Sequence, residues 1–307
     1  MSTAEPPPAA DPPSSGPAPT SGPPPSSERP GGLLSRLSSA LLLYHDPRSL
    51  HAEQYRAFRT NLTALNRGGG PWAVVFSSSR KGEGKSITSA NMAACLAELP
   101  GARVCLLDAD FRRPAQHALF GLANQPGLSE LLLDQAALSQ VLRPTAVPGL
   151  DLLPAGDEPR NPAELLGSER LANLLAELKR RYSWILVDTP PVNPFTDACV
   201  LAPRTNGAVV VVRMEETPRD LVQRSMQSIQ RAGGKVLGSF LTGVASDRED
   251  ADRVGYYRID RETQGQDAER NAARRDAEKR LREQEQAWLK KQAEERRAEE
   301  RGREPEV

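Results

Sequence analysis

No apolar run in the chain approaches the roughly 18 to 20 residues needed to span a bilayer, and the amino terminus lacks the apolar core of a secretory signal. Both absences set the expectation of a cytoplasmic protein. Net charge is also missing. Lys and Arg number 40 and Asp and Glu number 40 in 307 residues, which removes any global case for binding nucleic acid. Cysteine is scarce: Cys95, Cys105 and Cys199 stand in apolar surroundings at no metal-like spacing. They read as small buried hydrophobes in a reducing compartment, not as a disulfide framework or a zinc site. The first thirty residues nearly lack large apolar side chains and hold eleven of the 27 prolines. Such a segment cannot bury enough surface to offset its ordering entropy, so residues 1–31 are expected to be disordered.

What the chain does have is a glycine-rich loop leaving an apolar run, Ser77-Ser78-Ser79-Arg80-Lys81-Gly82-Glu83-Gly84-Lys85-Ser86, followed by Ile87 and a helix-forming stretch. Glycines let backbone N–H groups close around phosphate oxygens, and the helix points its positive end at them. Lys85 adds a point charge, and Ser86 offers a hydroxyl to Mg²⁺. The expected ligand is a nucleoside triphosphate, ATP with Mg²⁺, held by residues 80–87. One position departs from the usual loop pattern: Ser79 stands where a glycine is normal.

Two acidic motifs end apolar, β-branched runs, where a parallel sheet carries its functional residues. The first contains Asp108-Ala109-Asp110-Phe111-Arg112-Arg113-Pro114; the second is Asp188 with Thr189-Pro190-Pro191. A magnesium-bound triphosphate needs a hydroxyl and one or two carboxylates, a role that suits Ser86 and Asp188, with Asp108 as a further oxygen ligand. Carboxylates at i and i+2 on a strand end face one side, so Asp108 and Asp110 are both expected in the site, one of them able to accept a proton.

These residues resemble the bacterial tyrosine kinase family, the stand-alone kinases of capsule and exopolysaccharide systems, from about His45 to Val244. The likeness rests on the Asp108 motif with His117 and Phe120, on Gly121-Leu122-Ala123-Asn124, and on Gly127-Leu128-Ser129-Glu130-Leu131-Leu132. It continues through Leu153-Pro154-Ala155-Gly156, Asn161-Pro162-Ala163-Glu164-Leu165-Leu166, Asp188-Thr189-Pro190-Pro191 and Thr196-Asp197-Ala198. The septum-site and partition ATPases share the loop but place a lysine where Arg80 stands here.

The resemblance implies a catalytic set of Lys85, Asp108, Asp110 and Arg112: Lys85 on the β- and γ-phosphates, Asp108 accepting the tyrosine proton, Asp110 and Arg112 positioning metal and phosphate. It implies a membrane-anchored polysaccharide co-polymerase that activates the kinase and recruits it to the inner face of the cytoplasmic membrane. A phosphotyrosine phosphatase and a ring-like homo-oligomer are implied as well. The oligomer would use Glu53, Arg56 and Arg59, which recur at intervals of three on one helix face; the plain alternative is a solvated face with internal ion pairs. Where family members end the last strand in Leu-Asn, this chain has Thr242, with fewer groups to meet a base edge. Beyond that strand only Tyr256 and Tyr257 are offered as phosphoacceptors.

The fold expected is α/β, a parallel sheet covered by helices on both faces as in P-loop NTPases. Strands are predicted at 73–77, 103–107, 150–153, 184–187, 208–212 and 236–241, and helices at 85–99, 162–181 and 217–232. Asn161 is read as capping the second helix, and Gly233-Gly234 as ending the third. Residues 32–62 are expected to form an amino-terminal helical segment, the leucines of 33–44 docking on the domain or, as the alternative, touching a membrane, and residues 63–245 the core. A linker with the tyrosine pair, 246–262, and a charged helical tail, 263–307, complete the organisation. The functions in play are a tyrosine autokinase, a non-phosphorylating ATP-dependent assembly switch and, disfavoured, a partition ATPase.

Overall fold

The computed structural model describes residues 37–244. Seven strands form one sheet: β1 (Trp72–Ser78), β2 (Val104–Asp108), β3 (Arg143–Pro144), β4 (Leu150–Leu153), β5 (Trp184–Asp188), β6 (Gly207–Arg213) and β7 (Val236–Thr242). Their spatial order is β3-β4-β2-β5-β1-β6-β7. Only β3 runs antiparallel, against β4. It was not anticipated, because two residues leave no periodic signal; it lies at the sheet edge, where the missing N–H of Pro144 is tolerated.

The helices are α1 (Leu42–His45), α2 (Leu50–Leu65), α3 (Lys85–Ala97), α4 (Gln116–Leu119), α5 (Leu128–Leu132), α6 (Leu138–Val141), α7 (Pro162–Leu166), α8 (Glu169–Arg181), α9 (Asp197–Leu201) and α10 (Arg219–Arg231). Successive side chains of β1 serve opposite faces. Ala73 and Val75 join one core while Val74 and Phe76 join the other. On the first face α8 buries Leu171, Leu174, Leu175 and Leu178, one stripe of a 3.6-residue period. Each leucine so buried contributes about 1.5–3 kcal/mol before ordering costs. On the second face α3 lies between the sheet and α2, which is why residues 88–96 are buried throughout and small side chains dominate.

The predicted helix at 162–181 is two helices. Ser168 is extended and accepts a hydrogen bond from the Leu171 N–H as the cap of α8, so the chain restarts after Gly167. Asn161 does not cap α7; its Nδ2 donates to Glu164 Oε2 at 2.8 Å, a side-chain pair in place of the expected cap. Of the leucine segment at 33–44 the described part begins at Leu37; there Leu37, Leu41 and Leu43 are buried in the second core, and α1 is the only helix. Asn91 of α3 fastens the start of α1: its Nδ2 donates to the Ala40 carbonyl (2.9 Å) and its Oδ1 accepts from the Leu43 N–H (3.4 Å), a first-turn donor with no partner inside the helix.

Two of the family-like motifs fasten to each other. Glu130 accepts the N–H of Gly127 (2.6 Å) and of Asp157 (2.9 Å). Asn124 Nδ2 donates to the Gly156 carbonyl (2.7 Å). A Cβ on Gly127 would lie 2.3 Å from Gly156 N, so only glycine permits the approach.

In the register of the sheet, Asp188 pairs with Phe76 on one side and with Asp108 on the other. The carboxyl ends of β1, β5 and β2 therefore finish at one level. The loop after β1 and both acidic motifs meet at that edge, where doubly wound sheets bind ligands.

Candidate active site

Residues 79–84 wrap from the end of β1 to the start of α3, and Gly82 (φ +89°) and Gly84 (φ +88°) take the left-handed turns that other residues resist. Ser79 needs no glycine. Its φ is not positive, and its hydroxyl accepts a hydrogen bond from Ser225 Oγ at 2.9 Å. Glu83 is buried and closes the loop on itself: Oε2 accepts the N–H groups of Ser79 (2.7 Å) and Arg80 (2.9 Å), while Oε1 accepts from the Thr217 hydroxyl. Arg80 and Lys81 extend into solvent, and Ile87 is exposed on the first turn of α3.

Lys85 Nζ donates to Asp110 Oδ2 (2.7 Å) and to Ser86 Oγ (3.0 Å), and stands 3.6 Å from Asp188 Oδ1. Burial pulls the ammonium's pKa down, but Asp188 and Asp110 outweigh it, and the net shift is upward. Lys85 therefore stays a cation at the mouth of the loop.

Asp108 and Asp110 both act on the Lys85 ammonium, but not as two neighbours on one strand face. β2 ends at Asp108, so alternation stops there and the chain turns. Asp108 is fully buried, with Oδ1 accepting the Asp110 N–H (3.1 Å) and Oδ2 the N–H groups of Ala115 (2.9 Å) and Gln116 (3.0 Å). Burial and the neighbouring Asp188 carboxylate push Asp108 up to about 7, against the pull of those N–H donors. Asp188 is raised too, first by burial, with Lys85 opposing. Several carboxylates around one ammonium cannot all ionise at ordinary acidity. Asp110, in contrast, lines the cavity beside Lys85.

That cavity, of about 610 Å³, is bounded by the loop, by Arg112 and Arg113, and by Pro191, Pro194 and Phe195. The Arg112 guanidinium lies 4.2 Å from the Phe195 ring centroid and 4.0 Å from Asp197 Oδ2. Both Asp197 oxygens are buried without a hydrogen-bond partner. Thr242, at the end of β7, donates its hydroxyl to the Glu83 carbonyl (2.8 Å), so only its lone pairs remain for a base. A second cavity, of about 690 Å³, lies beside it between Arg213, Met214, Thr217 and Leu241.

The donor set suits magnesium. Asp188 Oδ1 is a buried oxygen with no hydrogen-bond partner, Ser86 supplies a hydroxyl, and all donors are hard oxygens. Among the described residues no three His, Cys, Asp or Glu side chains converge into a complete metal cage. An ion that keeps waters and takes phosphate oxygens needs none.

The strip on α2 is engaged within the chain. Arg56 pairs with Glu53 (2.6 Å) and Glu98 (3.1 Å), and Arg59 with Glu98 (2.9 Å) and the Cys95 carbonyl (2.7 Å), leaving Glu53 the most exposed member. Tyr256, Tyr257, the charged tail and the proline-rich segment lie outside the described residues. Sequence reasoning passed over Gln116, whose buried side chain donates to Asp188, Ser86 and Ser89. It also missed Phe195 beneath Arg112. Neither carries a spacing signal, since their partners are distant in sequence.

A family model described as an AAA domain matches residues 73–232. The putative tyrosine-protein kinase CapB of Staphylococcus aureus is 35% identical over 219 residues, 71% of this chain and 94% of that protein. The tyrosine-protein kinase YwqD of Bacillus subtilis (strain 168) is 33% identical over 223 residues, covering 73% of this chain and 93% of that protein. Among solved structures, the chimerical protein CapA2B2 matches with a TM-score of 0.65 and 34% identity, over 69% of this chain and 92% of that one. In sequence across most of both chains, and in fold, the protein belongs to the bacterial tyrosine kinase family of P-loop ATPases.

Proposed function

We propose that the protein is an ATP-dependent protein-tyrosine autokinase that regulates polymerisation or export of a surface polysaccharide, capsule or exopolysaccharide. One observation carries the reading: Lys85, Ser86, Asp110 and Asp188 converge at the sheet edge ahead of the α3 amino terminus. The relatives that cover this chain are named tyrosine-protein kinases.

Phosphoryl transfer needs positioning and charge compensation more than covalent help from the protein. Lys85 exchanges Asp110 for the β- and γ-phosphates of ATP. Ser86 and Asp188, with Asp108 behind them, would hold Mg²⁺, which neutralises phosphate charge when bound. Arg112 reaches the transferring group from its perch on Phe195. The tyrosine proton passes to the Asp108–Asp110 pair, of which Asp110 is the member on the cavity wall.

Tyr256 and Tyr257 are the acceptors. Twelve residues beyond Val244 reach about 40 Å when extended, which favours transfer to a neighbouring subunit. Glu53, Arg56 and Arg59 lie on the contact between copies in a ring-like oligomer. A membrane-anchored co-polymerase activates the kinase and holds it at the inner face of the cytoplasmic membrane, and a phosphotyrosine phosphatase resets it. Among the described residues no helix is long and apolar enough to cross a membrane.

The small number of tyrosines after β7 favours one second reading, an assembly switch that binds ATP and the co-polymerase but phosphorylates nothing. Both readings are separated by incubating the full chain with ATP and Mg²⁺, with and without the co-polymerase's cytoplasmic peptide, and mapping phosphotyrosine by mass spectrometry. The kinase reading expects modification at Tyr256 and Tyr257; ATP turnover without phosphotyrosine supports the switch.

A further inference from the structure

Gln116 opens α4 with its side chain fully buried. Its Nε2 donates to Asp188 Oδ2 (2.8 Å), Ser89 Oγ (3.0 Å) and the Ser86 carbonyl (3.1 Å). The two hydrogens of Nε2 serve Asp188 Oδ2 and, shared, the Ser86 and Ser89 oxygens; Asp188 decides which way the amide points, because a flip would set Oε1 against its carboxylate, and Oε1 as placed is buried without a hydrogen-bond partner. Its main-chain N–H donates to Asp108 Oδ2 (3.0 Å). One residue thus joins the first turn of α3 to the ends of β2 and β5. Asp188 is used asymmetrically as a result: Oδ2 is held by Gln116, while Oδ1 has no hydrogen-bond partner and faces Lys85 Nζ at 3.6 Å.

We propose that Gln116 is a positioning residue for phosphoryl transfer: its carboxamide pins Asp188 Oδ2 and the Ser86 peptide together, so that Asp188 Oδ1 and the Ser86 hydroxyl are offered jointly to the magnesium–nucleotide. The proposal rests on the kinase reading. A hydrogen-bond partner of a metal-binding side chain fixes its orientation, and losing such a partner typically costs about 10–100-fold in metal affinity or activity.

The test is calorimetric titration of the full chain with ADP, with and without Mg²⁺. Gln116→Met keeps the length and apolar stem but cannot donate. Its Mg²⁺-free affinity is expected to stay near wild type, while the strengthening that Mg²⁺ confers on wild type falls by about tenfold or more. A residue that only filled space would lower the melting temperature, or both affinities together, and leave that strengthening intact; this result overturns the proposal. If Gln116→Met does not fold, Gln116→Asn carries the same comparison, its amide being one carbon too short to reach Asp188. Wild-type protein that binds no ADP overturns the kinase reading and the proposal with it. Wild-type binding of Mg²⁺–ADP beside a variant with unchanged Mg²⁺ dependence overturns the role of Gln116 alone.

Discussion

Glu83 holds the phosphate loop in shape before any nucleotide arrives, and two substitutions at this position separate its geometry from its charge. Its Oε2 accepts the N–H groups of both Ser79 and Arg80. Glu83→Ala strands these two amides. An unsatisfied buried donor costs about 1–3 kcal/mol, so two stranded donors cost about 2–6 kcal/mol, with the lower half expected because Arg80 borders solvent. Glu83→Gln behaves differently. A glutamine oxygen in the same place still accepts both amides, its NH₂ can donate to Thr217 Oγ1, and only the charge assistance is lost, a cost of about 1 kcal/mol. Urea unfolding of the nucleotide-free chain, followed by the fluorescence of Trp72 and Trp184 in β1 and β5, reads both values. ATP affinity should fall with the alanine variant, which must order its loop on binding. Equal destabilisation by the two variants, or none by either, would refute the clamp.

Other consequences follow from the same geometry. Asp108 titrates at about 7 when folded against 3.8 as a free side chain, so the folded state holds the extra proton between those values. Its stabilising contribution is fully present below about pH 4 and is lost as pH rises through 7. Asp108→Asn should flatten that decline in nucleotide-free unfolding free energy, and an unaltered slope would count against the shift. Leu178→Ala empties a fully buried position under α8 and should cost about 2–5 kcal/mol in chemical denaturation while leaving ATP affinity unchanged. Gly127→Ala drives a Cβ to 2.5 Å from the Pro154 carbonyl and 2.3 Å from Gly156 N, and should yield little folded protein in a solubility and melting assay. Gly70→Ala, with nothing within 4 Å, should be indistinguishable from wild type.

All six expected strands are present; the inner ones are readable because parallel strands buried on both faces appear as continuous apolar runs, whereas the edge strand β7 is only partly buried and broken by Gly238-Ser239. The loop was readable because Gly82 and Gly84 occupy backbone conformations that exclude other residues. Gly167 and Ser168 were harder, since the apolar period runs through them and only the extended backbone of Ser168 reveals the restart. Asp108 and Asp110 are legible as a pair beside Lys85, but their separate settings are not: the i, i+2 rule holds within a strand, this strand stops at the first aspartate, and only Asp110 lines the cavity. Ser79 looked like a flaw in the loop until Ser225, 146 residues away, supplied its partner. Gln116 left no trace, because its bond to Asp188 spans 72 residues and a single glutamine has no spacing to read. The charged face of α2 was legible as a helix face, whereas Glu98, which binds both arginines, lies on another element.

The central claim is that the γ-phosphoryl group of ATP moves onto a tyrosine of this chain through the Lys85 site. Its most direct measurement is the retention of label from γ-labelled ATP on tyrosine in the full-length protein, with Mg²⁺ and the co-polymerase's cytoplasmic segment present. The account predicts label on wild type, its loss in Lys85→Met, and its loss from the doubly substituted Tyr256→Phe, Tyr257→Phe chain. Label that persists on tyrosine in Lys85→Met, or wild-type protein that binds ATP and never acquires label, contradicts it.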